Sequence, residues 1–425
     1  MIEYIWAMLV GIVSGILTGL LPTMTPSLGF LLFLPLIYND PVSLMIFALT
    51  IGIGAQFFGS QAVFYYRIAG ETSSYPVLIE SKNFNTPKKI YEAIEVTTYG
   101  SLIATVLSLT LLIILLPSGI LNYVVLPIYI KAIIFVVVVS IALLYPLNRF
   151  LSNFFALLIM CFFANYSDIV TKISPNIPIY YFDSLYSLII IFSVTLFLNR
   201  ASIGNVQLAT KKKLKKFLWT RWTKKIIGYS TLGMFCGLIP QIGSTISSYM
   251  SYGIEKLRKK SPLDRIAASE TANNSAIITN WIPLLIFGVP ITSIEIIFLQ
   301  YFNLQGLKLQ SLLNSQTILI FSLLGITAGI IYFYIALKTN RMFYQKLGKL
   351  VSDIKFLILL IAVSLISYAA ANNFSWEIVI AHLLVFLPIG WLFHKLSSNL
   401  LVVTVGLLLS QQIFFTLMQL YQIYF

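Results

Sequence analysis

Long apolar runs alternate with short polar stretches along the chain, and the runs are too long for strands. Residues 103–117 form one run and 124–146 another, with Lys131 as the only charge in the second. A run near 20 residues, wound as helix, spans the roughly 30 Å hydrocarbon core of a bilayer, and about ten to twelve such runs can be read along this chain. A helix satisfies its own backbone polar groups in lipid, whereas a membrane barrel would show residue-by-residue alternation, which these runs lack. The pattern predicts an all-α polytopic membrane protein with about 10–12 transmembrane or re-entrant helices. The first run starts directly after Glu3, with no basic segment before it and no clear small-residue cleavage site, so it is expected to be retained.

Composition agrees. The 425 residues are 58% hydrophobic and 10% charged, with a mean hydropathy of +0.90; a soluble domain carries about 25% charged residues. The net charge of +14 does not point to nucleic acid. Its basic residues sit in loops between apolar runs, where topology signals belong. Cys161 and Cys236 lie within apolar runs and predict no disulfide framework. No spacing suggests a zinc site, a phosphate-binding loop or a nucleophile with its base. Neither an enzyme nor an ATP-driven pump is expected within the chain, and no resident metal or cofactor.

Residues 200–225 hold nine basic residues and no acidic ones, which predicts a cytoplasmic loop. Lysines and arginines at 256–265 and 338–355 predict two more. Residues 226–254 must then leave and return on one side, as a hairpin that is re-entrant or crosses fully. Residues 276–303 make one broken crossing, and 317–337 a return. Working backwards, spans near 179–198, 150–165, 129–147 and 96–117 put the loop 71–95 in the cytoplasm. A broken crossing at 41–75 and a hairpin at 4–38 then place the N-terminus outside. The expected organisation is an N-terminal membrane repeat 1–198, a basic linker 199–225 and a C-terminal membrane repeat 226–425, with its last spans in 316–424.

The two halves echo each other. Gly15-x-x-x-Gly19-x-x-Pro22 recurs as Gly233-x-x-x-Gly237-x-x-Pro240 at an offset of 218. Gly70 and Gly288, and Phe84-Asn85 and Phe302-Asn303, share that offset. With the halves entering from opposite faces, the expected architecture is an inverted-topology repeat with broken helices, as in secondary transporters. A break within lipid frees backbone groups that protein, water or a ligand must satisfy. Half-helix N-termini suit an anion, and unwound carbonyls suit a cation. The breaks carry Pro22, Thr23, Thr25, Pro26 and Ser27; Gly70, Glu71, Thr72, Ser73 and Ser74; Pro240, Gln241, Gly243, Ser244 and Thr245; and Gly288, Pro290, Thr292 and Ser293. These four polar breaks are expected to meet near the midplane in a solute site. Asn273 and Asn274 are expected to face the same cavity, because adjacent buried amides need partners.

Three stretches resemble the large membrane subunit of the tripartite tricarboxylate transporters, the TctA family. Ala268-Ser269-Glu270-Thr271-Ala272-Asn273-Asn274-Ser275-Ala276, followed by Ile282-Pro283-Leu284-Leu285 and Gly288-Val289-Pro290, is similar to that family's Pro-Glu-Ala-Ala-Asn-Asn-Ala, Ile-Pro-Leu-Leu and Gly-Ile-Pro-Gly runs. Pro22-Thr23-Met24-Thr25-Pro26-Ser27-Leu28-Gly29 resembles Pro-Gly-Leu-Gly-Pro-Thr-Met-Gly, and Ile68-Ala69-Gly70-Glu71-Thr72-Ser73-Ser74 resembles Ile-Pro-Gly-Glu-Pro-Ser-Ser. The likeness spans roughly residues 10–305 and weakens in the C-terminal third. It implies a permease of the prokaryotic inner membrane that imports a small organic anion, with Na+ or H+ as coupling ion. The implied partners are a periplasmic solute-binding protein and a small four-helix membrane subunit, beside membrane lipid; a homodimer stays open. Family glycines are replaced at Thr23, Thr25, Gln241 and Ile291, and family prolines at Ala69, Thr72 and Ser269. Side chains in place of glycine reshape a cavity, so a mono- or small dicarboxylate is expected before a tricarboxylate.

Some residues keep two readings. Glu270 either charges a helix N-terminus or meets a solute or ion. Glu295 either serves function or sits at the outer interface. His382 and His394 are expected to be structural, and Lys131 to snorkel outward. The alternative function is a lipid-carrier flippase, which would need a lateral opening and a groove for an aliphatic tail.

Overall fold

The computed structural model describes residues 1–21, 24–37, 40–69, 71–115, 128–144, 146–173, 182–199, 219–240, 242–304, 314–338, 341–411 and 413. Among these there are helices and turns and no strand. The N-terminal half runs α1 (Ile2–Leu20), α2 (Pro26–Phe33), α3 (Pro41–Tyr66), α4 (Tyr75–Ser81), α5 (Pro87–Leu115), α6 (Ile128–Leu144), α7 (Phe150–Ala164), α8 (Tyr166–Ile173) and α9 (Ser184–Leu198). The C-terminal half runs α10 (Trp219–Cys236), α11 (Gly243–Leu257), α12 (Pro262–Thr279), α13 (Trp281–Phe287), α14 (Ser293–Leu304), α15 (Ser315–Lys338), α16 (Arg341–Ser352), α17 (Ile354–Ala371), α18 (Trp376–Leu396) and α19 (Leu400–Leu408). Seven helical stretches among the described residues are long and apolar enough to cross a membrane: Ile2–Leu20, Pro41–Tyr66, Pro87–Leu115, Leu147–Ala164, Ser315–Lys338, Ile354–Ala371 and Trp376–Leu396. The protein is an all-α polytopic membrane protein.

Local chemistry starts the two helices that frame the site. Asp40 caps α3 by accepting from the Ser43 N–H at 2.8 Å, and Ser261 caps α12 by accepting from Asp264 N–H at 3.3 Å. Each cap is followed by proline, whose fixed φ and missing N–H suit a first helical turn. α3 is the central helix, buried from Ser43 to Tyr66. It packs along α1 and α15, while α12 packs along α5, α10 and α11.

Small residues let these helices approach closely. Gly15 of α1 lies against Gly54 of α3, and Gly19 against Phe58. In the other half Gly233 of α10 lies against Ala272 of α12, and Gly237 against Ala276. Gly54 and Ala272 are 218 positions apart, as are Phe58 and Ala276, so the offset of the glycine motif is also an offset of the packing. Tyr332 of α15 reaches into the α1–α3 crossing. Its buried hydroxyl lies 3.0 Å from the carbonyl oxygens of Gly11 and Thr50.

Several boundaries differ from those expected. The break expected inside 41–75 comes after an uninterrupted α3. Arg67 ends that helix in the left-handed region at φ 59° and donates to the carbonyls of Ser81 and Phe84. The second broken crossing begins before residue 276, because α12 starts at Pro262. It is interrupted twice, between α12 and α13 at Asn280 and again at Gly288. Part of the expected loop 71–95 is helical, as α4 and the first turns of α5. The linker segment 200–218 and the Lys131 side chain lie outside the described residues.

One polar end of the bundle is tied by charge. Arg265 of α12 pairs with Glu80 of α4 at 2.8 Å, and Tyr252 of α11 donates to the same carboxylate at 3.0 Å. Lys225 of α10 bridges Asp264 at 2.8 Å and Glu255 at 3.3 Å. His382 has a structural place: its Nε2 accepts from the Asp183 N–H at 2.8 Å, and its Nδ1 lies 2.8 Å from the Ile378 carbonyl.

Candidate functional site

The four breaks meet around one cavity of 390 Å³. Its wall takes Thr25, Pro26 and Ser27 from the first break, Glu71 and Thr72 from the second, Ser244 and Thr245 from the third, and Thr292 from the fourth. The breaks touch one another directly, since the hydroxyls of Thr72 and Thr245 are 3.0 Å apart. Behind them Ser248 Oγ donates to the Ser73 carbonyl and lies 2.6 Å from Ser269 Oγ.

Three helices of eight or more residues begin at this cavity: α2, α11 and α14. Their starts differ in a way that matters. Thr25 Oγ1 caps α2 by accepting from Leu28 N–H at 3.3 Å. Glu295, only 1% exposed, folds back over the start of α14 and accepts from the N–H groups of Ile291 at 2.7 Å and Thr292 at 3.2 Å. At α11 the preceding residue, Ile242, provides no side-chain cap. The start of α11, beside Ser244 and Thr245, therefore lacks the side-chain cap that Thr25 gives α2 and the cover that Glu295 gives the approach to α14, and suits an anion best of the three.

Among the described residues the lining holds no lysine, arginine or histidine, and two carboxylates, Glu71 and Glu295. Glu71 accepts from Gln56 Nε2 at 3.0 Å and from Ser73 Oγ at 3.5 Å. An anion entering such a space meets helix ends and hydroxyls but also two acids. Its charge has to be offset by a co-bound cation or by protonation of an acid.

The structure separates the remaining expected residues. Asn273 and Asn274 are 0% and 2% exposed and do not line the cavity. Asn273 donates to Gln56 Oε1, and Asn274 donates to the Glu270 carbonyl of its own helix at 2.8 Å. Both face protein because α12 is packed on several sides at once. Gly243 gives α11 a close approach, since a Cβ there would overlap the Cys236 carbonyl. Gly288 takes the left-handed conformation that ends α13, at φ 68°. Pro290 and Ser73 are buried behind the wall. Pro22, Thr23, Gly70 and Gln241 lie outside the described residues.

Lining residues absent from the expected site include the polar or aromatic Asn280, Trp281 and Glu295, beside the apolar Ala48, Gly52, Ile277 and Ile294. Asn280 lies seven positions after Asn273, two turns on along one face, and an acid soon after a helix break signals a self-capping start.

A second, apolar groove of 780 Å³ runs between α5, α6, α10 and α13, touching Leu111, Ile134, Met234, Leu238, Ile282 and Phe287. It shares no lining residue with the polar cavity. Its two hydroxyls among the described residues, Thr231 and Thr279, donate to carbonyls of their own helices, so the groove presents an almost wholly apolar surface.

The model of the tripartite tricarboxylate transporter TctA family matches residues 5–405. The chain belongs to the TctA family. An uncharacterized 52.8 kDa protein in the TAR-I ttuC' 3' region of Agrobacterium vitis is 26% identical over 353 residues, 76% of this chain and 68% of that protein. An uncharacterized protein in the TAR-II ttuC' 3' region of the same organism is 34% identical over 82 residues, 18% of this chain and 34% of that protein. No solved structure matches the chain. TctA membership makes the 390 Å³ cavity a feature of a transport protein, and the matched span contains all four breaks.

Proposed function

We propose that this TctA-family permease imports a small organic anion, a mono- or small dicarboxylate, coupled to the inward movement of a monovalent cation. The observation that supports it is the convergence of four helix breaks on a cavity with a helix N-terminus lacking a side-chain cap, several hydroxyls, two acids and, among the described residues, no base. A helix end contributes about 0.3–1 kcal/mol, rising to about 2 kcal/mol when partly buried. That suffices for one carboxylate and falls short for three, so substrate and cation bind together.

On this reading the halves form an inverted-topology repeat in the cytoplasmic membrane of a prokaryote, with the N-terminus outside. A periplasmic solute-binding protein would deliver the anion, and a small membrane subunit would complete the tripartite system. Cells expressing the system, and proteoliposomes made from it, decide the matter. Labelled acetate, succinate and citrate are offered with a sodium gradient, a proton gradient or neither. Uptake of acetate or succinate that needs one of the gradients is expected. Gradient-independent uptake, or preference for a neutral or cationic solute, overturns the proposal.

A further inference from the structure

One of the two buried acids of α12, Glu270, has no hydrogen-bond partner among the described residues. Glu270 is 0% exposed, and neither carboxylate oxygen makes a hydrogen bond. Asn273, three residues on and therefore on the same helix face, is also 0% exposed with its Oδ1 unpartnered. Three acceptor atoms thus share one buried face with no donor among them. At the polar end of the bundle Lys225 pairs with Asp264 and Glu255, and Arg265 pairs with Glu80, so neither ion pair includes Glu270. A carboxylate left unpaired in this position is costly. A proton would supply a single donor for three acceptors, whereas a hard cation takes oxygen ligands as a set.

We propose that Glu270 and Asn273 bind a sodium ion directly behind the solute cavity, and that Gln56 relays its presence to Glu71 in the cavity wall. Glu270 supplies the charge that makes the occupied site neutral, and Asn273 supplies its carbonyl oxygen. The amide of Asn273 then has a fixed sense, with Nδ2 donating to Gln56 Oε1. That fixes Gln56 in turn, so its Nε2 donates to Glu71 Oε2 at 3.0 Å. Sodium and solute meet opposite ends of one chain of hydrogen bonds, Asn273–Gln56–Glu71. Sodium binding holds the Glu71 carboxylate back against Gln56 and away from an arriving anion. Without the ion, Asn273 is free to turn its NH₂ toward Glu270, and the grip on Glu71 is lost. The coupling role rests on the transport reading above; the ion site itself does not.

The test is direct binding of radioactive Na+ to the purified full-length chain in detergent, without solute, alongside solute uptake. Wild type should bind Na+ saturably, with choline unable to compete. Glu270→Gln and Asn273→Ala should each weaken Na+ binding by about 10-fold or more. Glu270→Asp keeps the charge and should fall between wild type and Glu270→Gln, which separates loss of the ligand from loss of the fold. Gln56→Ala should still bind Na+ saturably, more tightly than Glu270→Gln does, while making solute uptake insensitive to Na+. A wild-type chain that binds no Na+, or Glu270→Gln binding Na+ like wild type, overturns the site. Gln56→Ala with intact sodium coupling overturns the relay. Na+ binding without carboxylate transport would leave the ion site standing and remove the transport reading. Carboxylate uptake driven by protons alone, with no Na+ bound, would do the reverse.

Discussion

The Oγ1 atoms of Thr72 and Thr245 sit 3.0 Å apart, although 173 residues separate them in sequence. One hydrogen bond thus joins the break after α3 to the start of α11, at the wall where an anion would meet the uncapped N–H groups. Replacing either threonine with valine keeps the shape and removes the bond. A neutral hydrogen bond is worth about 0.5–1.5 kcal/mol, so each variant should raise the apparent KM for solute by about 2- to 10-fold. The double variant should be scarcely worse than either single one, because the two hydroxyls act as a pair. Uptake kinetics across the four proteins check this.

The neighbouring asparagines should part company. Asn273 joins α12 to α3 through Gln56, whereas Asn274 bonds only within its own helix. Asn274→Ala should lower thermal stability in detergent by about 0.5–1.5 kcal/mol and spare uptake. Asn273→Ala should abolish sodium-driven uptake with the protein still in the membrane. Equal effects of the two changes would show that adjacency, and not the link to Gln56, matters.

The helix crossings make a sharp steric forecast. A Cβ on Gly233 would run into the Ala272 backbone, whereas a Cβ on Gly253 meets nothing within 4 Å. Gly233→Ala should push α10 off α12 and lose protein from the membrane fraction. Gly253→Ala should be neutral or stabilising by up to about 1 kcal/mol, because glycine is a poor helix former. Expression level and melting temperature of the two variants are the readout.

Breaking the buried ion pair should cost more than removing it. Arg265 and Glu80 have side chains 22% and 3% exposed and lie 2.8 Å apart. Arg265→Ala strands a buried carboxylate, at a cost of about 3–5 kcal/mol. Adding Glu80→Gln to Arg265→Ala should recover part of that loss. A double variant no more stable than Arg265→Ala alone would assign the loss to packing of the arginine stem.

Topology can be read with single cysteines in a background lacking Cys161 and Cys236. Leu36→Cys, at the exposed end of the first hairpin, and Lys259→Cys, at the exposed end of the second, should react with an impermeant thiol reagent from opposite sides. Labelling of both from the same side would remove the inversion.

Much of the fold was legible because lipid imposes a strong rule: apolar length marks a helix, and a glycine–proline interruption marks its break. Four polar breaks were therefore marked in the sequence, and described residues of all four line one cavity. Boundaries were less visible. Arg67 takes a left-handed φ without being glycine, so the end of α3 carried no sequence mark. The asparagines looked like wall residues because their sequence shows polarity, while their packing partners, Gln56 and the Glu270 carbonyl, depend on how α12 is rotated against α3. Glu295 had a legible signal, an acid soon after the Gly288 break, but its burial over the start of α14 depends on packing that the sequence does not show.

The hydroxyl of Tyr332, wedged between α1 and α3, bears on how the molecule can move. Its one proton is shared between the carbonyls of Gly11 and Thr50, in a slot kept open by the missing side chains of Gly15 and Gly54. Filling that slot from α15 latches three helices together. A motion that slides α1 along α3 has either to drag α15 with it or to expel a buried phenol from its seat. The latch divides the possible motions into those that carry this trio as a rigid lever and those that first spring it.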